Sequence, residues 1–347
     1  MESVLNSLLS EPLFAESAPC ATLRSKPLGF VDAGARGGVH SLVEPLAGVT
    51  AVLGFEPDEE ECIRMNTQLT AGSPWAASCI EPIALAAEDS TAQLYLLSAP
   101  TNHCLRQPNI RFTRRYNMVK WQQMGVVSLR TTSLDKILFG PRAQEDYWGE
   151  FLKLDTQGTE FEILRGAERT LAERTVAIFS EVEFFQVMEG QKLFSDVEVF
   201  LRERGFAFYG FATTGYRSCK LLDKRGEAGR ERMFYADAVF FKDPLPGSPE
   251  CRVLSERGNH VLFICALLLG YYDFALELAS ATWASGAEAE RIEKLVRKCA
   301  ALPPSKAHND VQELARRVQT KPDVANIEVG RFVDRRRHLC DYNDIQN

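Results

Sequence analysis

Three acids each close an apolar run, and each precedes residues that bend or stop the chain. Asp32 ends LGFVDA and is followed by Gly34, Ala35, Arg36, Gly37 and Gly38; Glu56 ends VTAVLGFE and meets Pro57; Asp155 ends FLKLD, with Gly158 three residues on. Glycines lack a Cβ, so backbone there can approach a ligand and take dihedrals closed to other residues. A carboxylate at such a place can meet a cation, accept hydrogen bonds from a diol, or take a proton from an alcohol.

The order Gly34-Ala35-Arg36-Gly37-Gly38 is not the dinucleotide fingerprint G-x-G-x-x-G. Asp32, just before the turn, would crowd a pyrophosphate, whereas it suits a ligand that carries positive charge. A helix predicted after the loop would offer free N–H groups to a carboxylate. A ligand with an ammonium, a sulfonium and a carboxylate satisfies these conditions together, and S-adenosylmethionine has all three. Glu56, with Pro57 stopping the second strand, would accept from the ribose hydroxyls, as the acid after the second strand does in nucleotide-binding sheets.

These residues need strands that end at one rim. LGFVDA (28–33), VTAVLGF (49–55), VVSLR (126–130), FLKLD (151–155), TVAIFSEVEFF (175–185), GFAFYGF (205–211) and ADAVFF (236–241) read as strands, with short ones at 79–85 and 92–98. Helices are expected after the glycine turn, over 58–69, at 132–138, over 159–173 and at 195–205. Strands alternating with helices imply an α/β fold with a mostly parallel sheet covered on both faces. Residues 99–125 lack periodicity and carry Asn102, His103, Arg106, Arg111, Arg114, Arg115, Tyr116 and Trp121, a polar insertion of the kind that forms a lid or binding loop. Its arginines and aromatics could grip a sugar or an anionic substrate. Beyond the proline-rich stretch at 243–250 the strand signal stops, and one paired-helix unit follows. The division is then a lead-in (1–27), a core domain (28–243), a helical extension (251–330) and a tail (331–347).

The 347 residues are 45% hydrophobic and 25% charged, as in globular proteins, with a formal net charge of −7. No long basic run breaks that balance, so nucleic acid is not the expected partner; Arg335-Arg336-Arg337 is too short to change this. Nine scattered cysteines show no CxxC pair and no zinc spacing, which suits reduced thiols in a cytoplasm. The N-terminus does not read as a secretory signal. VLFICALLLGYY (261–272) is shorter than the roughly 20 apolar residues a membrane span needs and reads as a buried helix.

VDAGARGG, GFEPD, LKLDTQGTEFEILRGAERTL and EVEFFQVMEGQKLFSDVEVFLRERGF together resemble the FkbM family of S-adenosylmethionine-dependent methyltransferases, from about residue 28 to 243. The resemblance implies a Rossmann-like class I methyltransferase with a seven-stranded sheet whose last strand is antiparallel, plus the all-helical C-terminal region as an appendage. It implies cofactor binding at Asp32, Gly34, Ala35, Gly37, Glu56 and Pro57, with the methionine end at Asp32, Gly34 and Gly37 and the ribose at Glu56. It also implies an O-methyltransferase acting on a saccharide or other hydroxylated metabolite. Where the family's glycine loop has Asn, this chain has Arg36.

An alcohol must lose its proton before it can take a methyl group. Asp155 is the first choice of base, or else a ligand to a divalent cation such as Mg, with Glu160 and Glu181 as partners; no metal is assigned. Glu181 and Glu183 point the same way along one strand, and Glu181 is favoured as lining the crevice. Lys153, one step before Asp155, hints at a polar mouth. His103 is a second base candidate, and His40 reads as a packing residue. Two alternatives stay open: a nicotinamide-dependent oxidoreductase, and a non-catalytic cofactor-binding module. The C-terminal helices could serve a protein partner or self-association.

Overall fold

Apolar runs rich in β-branched and aromatic residues become strands, and the amphipathic segments between them become helices. The computed structural model describes residues 4–222, 231–248, 252–301 and 304–336. Helices α1 (Pro12–Ala15) and α2 (Ala18–Ser25) lead into β1 (Leu28–Ala33). A 3-10 helix, Ser41–Val49, connects to β2 (Thr50–Phe55), α3 (Glu59–Gly72) and β3 (Ala77–Glu81). An insertion follows, made of β4 (Ala84–Leu85), β5 (Ser90–Leu97), α4 (Ile110–Arg115) and β6 (Gln123–Thr132). The chain resumes with α5 (Leu134–Leu138), β7 (Phe151–Leu154), α6 (Glu160–Arg165), α7 (Glu168–Glu173) and β8 (Ala177–Glu183). Next come α8 (Phe194–Arg202), β9 (Ala207–Arg217) and β10 (Arg232–Phe241). The last elements are α9 (Glu256–Leu268), α10 (Tyr272–Thr282), α11 (Ala287–Ala300), α12 (Pro304–Thr320) and α13 (Ala325–Arg336).

Seven strands form one sheet in the order β3-β2-β1-β7-β8-β10-β9, and β4-β6-β5 form a second, small one. The pairs β1–β2, β2–β3, β1–β7 and β7–β8 are parallel, while β10 runs antiparallel to β8. This is the expected seven-stranded, mostly parallel sheet. The order reverses between β1 and β7, and ligands of open α/β sheets bind outside the carboxyl ends of strands at such a switch point. Every residue of β1, β2 and β7 is buried, as befits central strands covered on both faces.

One face is covered by α5 to α8, through Leu134, Leu164, Leu171, Val197 and Leu201 against Val31, Leu152 and Ile178. The other is covered by α1, α2 and α9 to α11, whose Phe14, Leu23, Phe263, Leu278 and Leu295 join Phe30, Phe151 and Phe241 in one cluster.

Two expectations change. The helix after the glycine turn is a 3-10 helix with Pro45 inside and Leu46 off helical geometry. The proline removes a donor and clashes with the preceding turn, so no regular helix forms. The helix over 159–173 is two helices, because Gly166 lies so close to Ala86 O that a Cβ would stand 2.2 Å from it. Helix α9, buried from His260 to Leu267, packs in the same cluster as Val43, Leu46 and Val49 of the 3-10 helix. Its Arg257 pairs with Glu150 at 2.6 Å and donates to Pro27 O, fastening it to the start of the sheet.

The chain divides into two compact units. The first runs to Gly215 and includes Met233–Ala300; the second holds Tyr216–Arg232 and the residues from Ala301 on. Within the second, Arg317 of α12 pairs with Glu328 of α13 at 3.6 Å. The tail from 337 on, with Arg337 of the arginine triplet, lies outside the described residues. Among the described residues no helix is long and apolar enough to cross a membrane.

Candidate active site

The register of β1 with β7 sets Asp32 beside Lys153. Side chains alternate along a strand, so Phe30 and Phe151 enter the core and the next residues on that face, Asp32 and Lys153, lie one step nearer the carboxyl edge. They pair at 3.0 Å with side chains 1% and 6% exposed. Burial works against the Lys153 charge, but the Asp32 and Asp155 carboxylates outweigh it and hold its pKa above the ordinary lysine value. Lys153 Nζ also donates to Gly34 O at 3.2 Å, and Asp32 Oδ2 accepts from His40 N at 3.0 Å. Asp32 Oδ2 is thus held by the loop above it, Oδ1 faces Lys153 as an ion pair without a further hydrogen bond, and Asp32 is not among the residues that line the crevice. Lys153 marks no mouth, because it lies beneath the floor.

Gly34 takes φ +84°, and a Cβ there would stand 1.8 Å from Asp155 O, so only glycine lets the ends of β1 and β7 come this close. The amides of Gly34 and Ala35 both donate to Phe55 O, at 3.0 and 3.1 Å. The Ala35 side chain packs with Cys62, Met65 and Ile80. Gly37 is exposed, and its N–H donates to Glu61 Oε1 at 3.2 Å. Beyond the loop, Leu42 N donates to His40 Nδ1 at 3.3 Å. Neither Ala35 nor Gly37 lines the crevice.

Gly34, Glu56, Pro57, His103 and Asp155 do line one crevice, with Arg36, Thr156, Gln157 and Thr159 and an apolar wall of Phe55, Ile83, Leu85 and Leu94. Glu56 Oε1 accepts from Asp58 N at 2.9 Å and from Arg36 at 3.3 Å, and Arg36 reaches on to Asp58 at 3.0 Å. Glu56 Oε2 takes no hydrogen bond among the described residues. Burial pushes the Glu56 pKa up, against the pull of the Asp58 amide and Arg36.

Asp155 is the open acid, its side chain 39% exposed and 3.9 Å from Lys153. The Gln157 amide bridges it to Glu181, donating to Asp155 Oδ1 at 2.8 Å and Glu181 Oε2 at 2.9 Å. Gln157 does this from a left-handed backbone, φ +62°, which non-glycine residues seldom adopt. Burial, then the charges of Asp155, Glu183 and Glu160, push the Glu181 carboxyl well above the usual range. Glu183 is buried on the same strand, and neither it nor Glu181, expected at the crevice, is among the lining residues; Glu181 reaches the crevice acid only through Gln157.

Glu160 is buried too, and it closes the turn before α6. Its Oε1 accepts from Thr156 N at 2.6 Å and its Oε2 from Gly158 N at 3.0 Å. One oxygen from each of Asp155, Glu160 and Glu181 falls within 4.8 Å of the others. Glu160 accepts backbone amides at both oxygens, whereas Asp155 and Glu181 each accept from Gln157 at one oxygen.

His103 Nδ1 accepts from Leu97 N at 3.0 Å, so the proton of the neutral ring sits on Nε2. Burial and then Arg36 lower the imidazole pKa. His103 can donate to a ligand, but its free lone pair is already used. His40 is a packing and capping residue, as expected; its ring lies 5.6 Å from Phe179 and Nδ1 accepts from Leu42 N.

Residue types alone did not single out Gln157 or the Asp32–Lys153 pair. The run Thr156-Gln157-Gly158 before a helix was the available signal for the first. Nothing local signals the second, which depends on the β1–β7 register.

Residues 32–208 match the family described as Methyltransferase FkbM domain. Among solved structures the chain is similar to a methyltransferase FkbM from Methylobacillus flagellatus KT, at 12% identity over 62% of this chain and 43% of that one, with a TM-score of 0.35. It is also similar to magnesium protoporphyrin IX methyltransferase from Synechocystis PCC 6803 with bound SAM, at 9% identity over 65% and 76%, with a TM-score of 0.31. The chain thus spans less than half the length of the first of these. No curated protein matches it.

Proposed function

The chain belongs to the FkbM family of S-adenosylmethionine-dependent methyltransferases, whose domain takes in residues 32–208, and from that premise we propose that it methylates a hydroxyl of a saccharide-like acceptor, with Asp155 as the base. Family membership removes the nicotinamide and non-catalytic alternatives. The observation that carries the reading is the contrast among acids near the carboxyl ends of β1 and β7: Asp155 is open to the crevice, while Asp32 and Glu160 are closed off by protein partners.

Glu56 would hold the cofactor's ribose through Oε2, the carboxylate oxygen that no protein donor takes. The flat apolar wall of Phe55, Ile83 and Leu85 suits an adenine ring. Gly34 keeps the loop close to the β7 end. Bound S-adenosylmethionine supplies an electrophilic methyl group on a sulfonium.

The remaining work falls to this chain's own side chains. Thr101, Thr156, Thr159 and Gln157 give the other wall hydroxyl and amide groups that suit a polyhydroxylated acceptor. Asp155 takes the acceptor's hydroxyl proton. Lys153, at 3.9 Å, steadies the negative charge of Asp155 before that transfer. Gln157 fixes the carboxylate's orientation by sharing its N–H groups with Glu181, and His103 Nε2–H orients an acceptor oxygen. A positioned base of this type contributes about 10²–10⁴-fold to rate.

The seven described cysteines are free, which supports a reducing cytoplasmic setting. Helices α9 to α11 are spent on the sheet, so a partner would meet α12 and α13.

The test is incubation with methyl-labelled cofactor and separated polysaccharide, lipid-linked sugar and small-metabolite fractions. Label in an alkali-stable ether of a carbohydrate supports the reading; label only on amines or thiols overturns it.

A further inference from the structure

Between Ser90 and Leu134 the sequence has six basic residues, Arg106, Arg111, Arg114, Arg115, Lys120 and Arg130, and no acid, in a chain whose net charge is −7. This is the insertion whose inner side walls the crevice with Leu94, Thr101 and His103. The cations that touch the crevice and its rim are neutralised: Arg36 by Glu56 and Asp58, Arg106 by Glu162. Those on the outer side are not. Arg111, Arg114, Arg115 and Lys120 are exposed and enter no ion pair among the described residues; Arg115 lies over the Tyr116 ring.

Helix geometry gathers them. Positions 110, 111, 114 and 115 of α4 share one face, while Thr113 is buried on the opposite one. The chain turns directly beyond, with Met118 N bonded to Thr113 O, which brings Val119 and Lys120 against the end of α4. Large apolar side chains stand among the charges: Ile110 is 51% exposed, Val119 70% and Met124 68%. The back of α4 is anchored, with Phe112 stacked 5.8 Å from Phe185.

We propose that this outer face of the insertion docks the enzyme on the surface of an anionic phospholipid bilayer. Cations interleaved with exposed aliphatic side chains match an interface with charged headgroups above and acyl chains just below. A single-stranded nucleic acid would be met by exposed aromatic platforms. Here the ring of Tyr116 is buried and those of Phe112 and Trp121 are half-buried. The docking needs no acceptor, so it stands or falls separately from the methylation chemistry.

The experiment is co-sedimentation of the full chain with vesicles of phosphatidylcholine alone or with about a third phosphatidylserine, at low and high salt. Expected is binding to the anionic vesicles at least about tenfold above the neutral ones, falling at high salt. The variant R111Q/R114Q/R115Q/K120Q should lose that preference, and I110S/V119S/M124S should lose several-fold at low salt, both keeping wild-type melting temperature and S-adenosylmethionine binding. No preference for anionic vesicles, or a preference unchanged in the first variant, overturns the proposal. So does binding that survives in the aliphatic variant while a short single-stranded RNA binds more tightly, which would make the face a nucleic-acid site.

Discussion

The ends of β1 and β7 are adjacent, carry an acid each and share one lysine, yet they do opposite things. Asp32 sits 3.0 Å from Lys153 with 1% of its side chain exposed; Asp155 sits 3.9 Å from it with 39% exposed. The first is a structural ion, closed by Lys153 and His40 N. The second keeps an oxygen toward solvent. The difference arises from a single step along the pleat, because Asp32 points under the floor while Asp155 lies just beyond the end of β7. Chemistry needs the looser partner, since a carboxylate sealed in an ion pair cannot exchange a proton with a substrate.

The sharpest test of this contrast is Asp155→Asn. Turnover should fall by about 10²–10⁴-fold, with stability within about 0.5 kcal/mol of wild type. Single-turnover methyl transfer and a denaturant melt measure the two; loss of stability without loss of rate would reverse the roles given to the two acids. Next comes Lys153→Met, which leaves Asp32 buried without its counter-ion and should cost about 3–5 kcal/mol in urea unfolding. A cost below about 1 kcal/mol would make the pair incidental.

The third strand end extends the comparison. Glu56→Ala removes an acceptor for charge-assisted hydrogen bonds worth about 1.5–3 kcal/mol, so the cofactor Kd should rise about 10- to 100-fold by calorimetry, with melting temperature nearly unchanged.

The smallest effect concerns pH. Burial and then the Glu160 charge push the Glu183 carboxyl well above the usual range, with Gln191 opposing. Its folded pKa is therefore above its unfolded one. The group favours folding below the ordinary glutamate pKa of about 4.3, and that advantage is lost as pH rises through the folded pKa. Glu183→Gln should stabilise the protein at pH 7 and lose the gain near pH 4. Equal shifts in melting temperature at both pH values would remove the buried-acid interpretation.

Much of this was legible in the sequence because its signals are local. Runs such as VTAVLGF state a buried strand, and an acid followed by glycine or proline states where it ends. The crevice acids Glu56 and Asp155 followed from that rule. What was hidden is what other parts of the chain decide. The sealing of Asp32 requires a lysine from β7, more than a hundred residues away and brought alongside only by strand pairing. His103 read as a base because its residue type allows it, and the Leu97 amide that occupies its lone pair is a matter of loop geometry. Pro45 was visible, but helical spacing of apolar residues outweighed it in the reading. The face that this 3-10 helix covers with Val43 and Leu46 is completed from α9 to α11, far along the chain.

That last point bears on how the molecule is made. A ribosome releases β1, β2, β7 and β8 long before Phe263 and Leu295, the side chains that roof one side of them. Until those late helices emerge, the nascent sheet presents a greasy plane to water, a hazard for chains of this size. A message cut short near codon 250 would yield a polypeptide with every crevice residue present and no way to stay in solution.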